Sequence, residues 1–475
     1  MDIKKKILLD ILDFVNNHYE FNEKLKCLTM LGIFFKYNNL GCYSLGCLEK
    51  ELIEKIITYY DIKQSPYDLM LSKKIAFIIT EPYASGGHTR LMERLSGFLS
   101  EKPDLVITRS CSSSLKERMH NFFSSVEIFN LNDADSIESL LASARHFSQY
   151  SKLILNIHPE DITTVVAIGV AKKINPMLKV YFVNHADHVF SYGVSISDFW
   201  FEISVFGKKI DELRNLKCIR TFLGIPMTFS NTCYHVEKIV DGDNFLSSGS
   251  AFKFRPSKNI SIIPIIDKVL KTYPHSKVTI IGVRPYFDYW WWSLKVRFPK
   301  RLTLRNRLPY DEYLKVTNNA SVFIDSYPLP GGTAFAEQFL MGKKCIGLYG
   351  PIQGYSPVEL FKRSTIEESM AKTDPHMINM VLKKTTEVHS FSEVKKRFVD
   401  AVEFGQCSSN KCEELIPWNG DEKFLEVDNI IRIPPQFLLS SPFTWKLIKL
   451  ANMHVVVKFL FEKLMVTLKN FRREP

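Results

Sequence analysis

What the chain lacks narrows its class first. No uncharged apolar segment approaches the ~20 residues that a membrane-spanning helix needs. No Cys-x-x-Cys pair occurs among its nine cysteines, which are scattered at 27, 42, 47, 111, 218, 233, 345, 407 and 412. An odd, dispersed set in a long chain argues against a disulfide framework or a cysteine-built zinc site, and for reduced thiols in a cytosolic setting. Lys4-Lys5-Lys6 ahead of Ile7-Leu8-Leu9 carries the charge of a secretion signal, but Asp10 and Asp13 interrupt the apolar run. The segment reads instead as an amphipathic helix. The signature of disorder is missing too, since 45% of residues are hydrophobic and 24% charged. Charge is what the chain has in excess. Its net charge of +11 implies an anionic partner, a nucleotide or an acidic lipid surface. A nucleic-acid role is disfavoured because no recognition motif accompanies that charge.

The 475 residues suffice for two domains with their own cores. Helical spacing of apolar residues at 7–19, 25–35 and 52–60 makes 1–70 a helical extension with no chemistry of its own. From Lys74 the pattern alternates. Ile75-Ala-Phe-Ile-Ile79, Leu105-Val-Ile107, Val126-Glu-Ile-Phe129, Leu153-Ile-Leu155 and Val180-Tyr-Phe-Val183 read as strands, separated by helical stretches such as 89–99, 136–147 and 162–174. A second series follows: a strand at 245–246, a helix at 260–270, a strand at 278–281, an aromatic helix near 286–295, a strand at 321–325, a helix at 333–341 and a strand at 345–348. Such alternation predicts an α/β chain of two doubly wound, Rossmann-like domains, 71–235 and 236–385, facing a central cleft. Residues 386–475 form a C-terminal helical segment that either packs back on the first domain or lies on a membrane surface. Its last stretch, 443–473, mixes Trp445, Phe461 and many aliphatic residues with seven Lys/Arg and a single Glu.

Candidate chemistry follows the strands. Thr80-Glu-Pro-Tyr-Ala-Ser-Gly-Gly-His-Thr-Arg90 is a glycine turn that opens a helix, with Gly86 and Gly87 permitting close backbone approach. His88 then either binds a phosphate, acts as a base with a pKa near neutrality, or merely caps the helix. The turn is not the dinucleotide Gly-x-Gly-x-x-Gly pattern. Val183-Asn-His-Ala-Asp-His-Val-Phe190 places His185, Asp187 and His188 beyond a strand. Three near-adjacent residues on an extended segment cannot all point inward, so a catalytic Asp–His grouping is preferred to a metal site. Ser247-Ser-Gly-Ser-Ala-Phe-Lys-Phe-Arg-Pro256 brings Lys253 and Arg255 beside the cleft, either to offset negative charge or as a surface basic pair. Asp325-Ser-Tyr-Pro-Leu-Pro-Gly-Gly-Thr-Ala-Phe-Ala-Glu337 is a strand, a turn and a helix start. Gly331, Gly332 and Thr333 there offer unpaired N–H groups to an anion, and Glu337 one turn on suits sugar hydroxyls. Gly350-Pro-Ile-Gln-Gly-Tyr-Ser-Pro357 adds Tyr355 and Ser356 as groups suited to a sugar or phosphate. Tyr289-Trp-Trp-Trp292 is split between acceptor contact and core packing.

In this order, "SGGHTR", "NHADH", "GSAFKFRP", "DSYPLPGGTAFAEQFLMGKK" and "GPIQGYSP" resemble the two-Rossmann (GT-B) nucleotide-sugar glycosyltransferases over about residues 74–360. The resemblance implies that Gly86, Gly87 and His88 face the donor phosphates and acceptor, and that His185 approaches the transferred sugar. It implies further that Lys253 and Arg255 hold the diphosphate, and that Gly332 and Thr333 take the phosphates while Glu337 holds the ribose. Many retaining members carry two glutamates eight residues apart at this helix, whereas Leu329 stands eight before Glu337 here. Inversion and retention both stay open, with His88 or Asp187 as the base of an inverting reaction. The implied activity is sugar transfer from a nucleotide-sugar donor to a glycan or lipid-linked acceptor in surface polysaccharide assembly. No essential metal or other cofactor is expected, and the protein would work in the cytoplasm or on the inner face of the membrane. A nucleotide-sugar epimerase on the same scaffold and a non-catalytic glycan or membrane adaptor are the alternatives.

Overall fold

The computed structural model describes residues 3–17, 20–65, 74–84, 87–131, 137–229, 239–426 and 431–471. Among them, two parallel sheets carry the architecture. The first comprises β1 (Ile75–Ile79), β2 (Asp104–Ile107), β3 (Val126–Ile128), β4 (Lys152–Asn156), β5 (Lys179–Val183), β6 (Phe199–Glu202) and β7 (Ile219–Phe222). Its seven strands run in the order β3-β2-β1-β4-β5-β6-β7. The second comprises β8 (Asn244–Ser248), β9 (Lys277–Ile281), β10 (Leu302–Arg305), β11 (Val322–Ile324) and β12 (Lys344–Ile346), in the order β10-β9-β8-β11-β12. Every neighbouring pair is parallel, so helices must return the chain and cover both faces. The chain is α/β with two doubly wound lobes, as its strand–helix alternation predicts.

Three strands escape sequence reading for a shared reason. Phe199-Trp-Phe-Glu202, Ile219-Arg-Thr-Phe222 and Leu302-Thr-Leu-Arg305 are only four residues each, and the latter two interleave polar residues. They are strands because a neighbour already in the sheet supplies their hydrogen bonds. The helix expected at 260–270 runs instead from Ile263 to Thr272. Ser257 and Ile260 pair across a tight turn whose Lys258 and Asn259 have φ of 48° and 65°, and Pro264 in the first turn restarts the chain as helix.

The N-terminal helices Ile3–Asn16, Phe21–Tyr37 and Gly46–Tyr59 are not an appendage. Ile11, Leu28, Phe34 and Ile56 share one core with Ala76 and Ile78 of β1, with Leu153 of β4 and with the helix Ile162–Ile174. Phe443, Leu447, Val455 and Phe459 of the last two helices join the same core. The other face of the sheet is closed by Val394, Phe398, Ala401 and Val402 from the helix Phe391–Phe404. The chain therefore crosses back to the first lobe after building the second.

Candidate active site between the two lobes

In a doubly wound sheet the strand order reverses at one point, and loops leaving the carboxyl ends there diverge to open a crevice. In the first sheet that point lies between β1 and β4, and in the second between β8 and β11. The first crevice gathers His88, in the first turn of the helix after β1, and His158 and Glu160, which follow β4. The amide of Asn156, the last residue of β4, donates to the His88 carbonyl at 3.0 Å and fixes the helix Gly87–Ser96 against that edge. Gly86 lies outside the described residues. Around His88 the rings are dense. It stacks on His185 at 5.2 Å and lies 4.9 Å from Tyr83 and 5.8 Å from His158. Tyr83 in turn stacks on His158, its hydroxyl 3.2 Å from Nε2. Glu160 sits behind, 3.6 Å from His158 Nδ1, 3.7 Å from Arg109 and 3.5 Å from Lys36.

Burial, followed by the neighbouring His158, lowers the His88 pKa to about 4, although the Glu81 carbonyl opposes the shift. His185 falls well below its usual value through burial and then through His88 and His158. Burial would raise Glu160, but the His158 hydrogen bond and the charges of Lys36 and Arg109 outweigh it and hold the carboxyl down to about 2. The near-neutral His88 expected from its residue type is thus corrected by its surroundings: the imidazole is neutral throughout the physiological range. Its Nε2 lies 3.1 Å from the Glu81 carbonyl, which can only accept, so Nε2 carries the proton and Nδ1 the lone pair. A depressed histidine pKa has a defined linkage. The stabilisation is complete above the unfolded value of 6.5 and is lost as pH falls towards the folded value of about 4. Imidazole NMR titration, with His88→Gln for assignment, is expected to place the His88 midpoint near 4. A midpoint at the ordinary 6.5 would show a hydrated, unburied ring.

In the second lobe the carboxyl of Asp325, at the end of β11, accepts from Gly331 N–H at 2.7 Å and pairs with Lys362 at 2.8 Å, both side chains being buried. That folds the Pro328–Pro330 turn back on itself. A Cβ on Gly331 would lie 2.7 Å from the Asp325 oxygen, so the turn closes only with glycine. Gly332 follows at φ 57° and ψ −107°, a region that L side chains avoid, and starts the helix Thr333–Leu340 with no side chain capping it. Lys253 reaches the same turn from the loop after β8, its Nζ donating to the Pro330 carbonyl at 2.8 Å. Arg255 does not accompany it. It is exposed beyond the short helical turn Ala251–Phe254, in the electrostatic field of Arg432. Glu337 is raised by burial and pulled back by Arg94 and Arg90, which belong to the first-lobe helix that carries His88.

The two crevices meet. The Tyr355 hydroxyl, from the second lobe, donates to Asp187 of the first at 2.9 Å, and Val205 N–H donates to the Gly354 carbonyl at 2.9 Å. A Cβ on Gly332 would touch the Tyr355 ring at 3.7 Å, so the helix start lies beside this bridge. Asp187 is 1% exposed, and Ser204 and His188 engage it besides Tyr355. It is a strut between lobes rather than an accessible base. Residues 185–188 are not the extended segment that the sequence suggests. The chain turns directly after β5, and His188 folds back so that its Nδ1 lies 3.3 Å from Asp187. His185 is the inward member, its Nδ1 buried with no hydrogen-bond partner. Ser356 is buried and caps the turn Pro357–Phe361, while Glu359 accepts from Gly354 and Tyr355 N–H. Those two amides are therefore committed inside their own loop. In Tyr289-Trp-Trp-Trp292, Trp291 is core and Tyr289 and Trp292 are exposed.

Sequence reasoning missed His158, Glu160, Arg109 and Lys36. The signal for the first two was their place right after the β4 run. Lys36 comes from the helical extension, and no local pattern marks it.

No sequence family and no curated relative matches the chain. Solved structures do. The Thermobaculum terrenum O-GlcNAc transferase, in a mutant form, superposes with a TM-score of 0.50 at 14% identity, over 80% of this chain and 79% of that one. The chain has the GT-B fold. A lipopolysaccharide outer core galactosyltransferase, WaaB, in its apo form gives a TM-score of 0.49 at 14% identity over 70% of this chain and 100% of that one. Anabaena HepE in complex with UDP and glucose gives 0.48 at 8% identity, over 70% and 99%. In GT-B terms the Gly87–Ser96 helix and the Thr333–Leu340 helix belong to opposite lobes of one cleft.

Proposed function

We propose that the chain is a glycosyltransferase that moves a sugar from a nucleotide-sugar donor to a hydroxyl of a glycan or lipid-linked acceptor, in surface polysaccharide assembly. One observation carries the reading: an uncapped helix start at Gly332, flanked by Lys253, stands across a bridged cleft from a neutral histidine. The donor diphosphate lies on the free N–H groups of Gly332 and Thr333 beside the Lys253 ammonium, and Glu337 accepts from the ribose hydroxyls. The bond between the anomeric carbon and the diphosphate oxygen breaks, and that oxygen keeps the electron pair. Lys253 and the helix dipole offset the charge it gains, so no resident metal is required. The acceptor oxygen bonds to the anomeric carbon and, in an inverting reaction, its proton passes to His88 Nδ1. His185, half-buried and stacked 5.2 Å from His88, takes a hydroxyl of the transferred sugar.

A thermal-shift screen against nucleoside diphosphates and CMP tests this directly. At least one diphosphate is expected to raise the melting temperature, because ligand at ~100-fold its Kd adds about 2.7 kcal/mol to the folded state. Glu337→Ala is expected to abolish the shift. No shift with any nucleotide would end the proposal.

A further inference from the structure

The helix Met453–Phe471 has two apolar faces, and the first lobe uses only one. Val455 and Phe459 are buried in the core shared with the N-terminal helices and the first sheet. Met453, Val457, Leu460, Phe461 and Leu464 are exposed by 77%, 58%, 45%, 62% and 56%. At ~100° per residue these five fall within roughly a 100° arc, opposite the buried pair. Trp445 on the preceding helix Pro442–Leu450 is exposed as well. A helix held down along one side and apolar along the other lies flat, with its stripe outward. Among the described residues no helix is long and apolar enough to cross a membrane, so the stripe fits a surface and not a span.

Charge selects the occupant. Residues 443–473 hold seven Lys/Arg against one Glu; Lys449 is exposed on the preceding helix, and Lys458 on the last helix is exposed with Glu462 at 4.0 Å. A second copy of this chain would bring two such positive segments together, whereas anionic headgroups neutralise them. We propose that this face docks on an anionic bilayer surface, inserting the five exposed apolar side chains among the headgroups with the lysines on lipid phosphates. The proposal is independent of the donor reading.

The full chain is expected to sediment with vesicles of phosphatidylglycerol and phosphatidylcholine, to stay in solution with phosphatidylcholine alone, and to bind more weakly at about 0.5 M salt. Val457→Ser/Phe461→Ser/Leu464→Ser should weaken binding about tenfold or more. Lys449→Glu/Lys458→Glu should weaken it roughly fivefold per lysine, and it tests the charge even where the first variant fails to fold. Unchanged melting temperatures in both variants separate a surface effect from unfolding. Wild-type protein left in the supernatant, or variants that sediment like wild type, would overturn the proposal. So would a concentration-dependent dimer in ultracentrifugation that the serine variant loses while vesicle binding persists, since a second copy would then cover the face.

Discussion

Lys362→Met is expected to lower the melting temperature of the second lobe by roughly 10 °C, corresponding to about 3–5 kcal/mol. The ammonium lies 2.8 Å from Asp325 with side-chain exposures of 2% and 3%. Burial disfavours its charge, yet Asp325 and Glu359 outweigh that and keep its pKa above the usual value. Methionine keeps the packing against the Phe335 ring, which lies 5.4 Å from Nζ, so the variant isolates the charge. It leaves Asp325 buried with two N–H donors and no ion-pair partner, Lys253 acting on it only through the field. The consequence reaches past stability, because the same carboxylate shapes the turn at Gly331. Adding Asp325→Asn should recover part of the loss, since the uncompensated charge is what costs most. Calorimetry checks both, and a change below about 1 kcal/mol would place the pair among exposed, weakly coupled ion pairs.

Lys253→Met is expected to lower kcat about 10²–10³-fold, the scale on which removal of one donor to developing charge is felt. The assay uses the nucleotide sugar whose diphosphate gives the thermal shift. Burial and Lys362 lower the Lys253 pKa, Asp325 opposes them, and the ammonium reaches the turn whose helix start would hold the phosphates. Because charge on the leaving group grows only in the transition state, KM should change much less than kcat. Lys253→Arg should restore part of the rate. A weaker Kd for the diphosphate with kcat unchanged would assign Lys253 to ground-state binding alone. A lower melting temperature with unchanged kinetics would make it a strut for the Pro330 carbonyl.

How much of this was legible depended on how local the cause was. The strand at 75–79 is apolar throughout, and the strand at 278–281 nearly so, so the sequence alone marks them. The four-residue β6, β7 and β10 are strands only because partners lie beside them. Gly331 and Gly332 stand out because a turn between a strand and a helix needs residues without Cβ, and the structure puts an Asp325 oxygen 2.7 Å from where a Gly331 Cβ would sit. Arg255 looked equivalent to Lys253 two positions away, yet a short helical turn sends the two apart. Asp187 looked like a base, but its role follows from Tyr355, 168 residues distant, which no spacing rule connects to it.

The chain's own letters determined two alternating lobes, the glycine-opened helix that would hold phosphate and an excess of positive charge, because periodicity, backbone freedom and net charge are properties of short stretches. Tertiary structure alone decided which histidine is neutral, which carboxylate is a strut and which face of the last helix stays apolar and exposed. Those depend on burial and on partners more than a hundred residues away: Lys36 behind Glu160, Tyr355 on Asp187, and a C-terminal segment folded back on the first lobe.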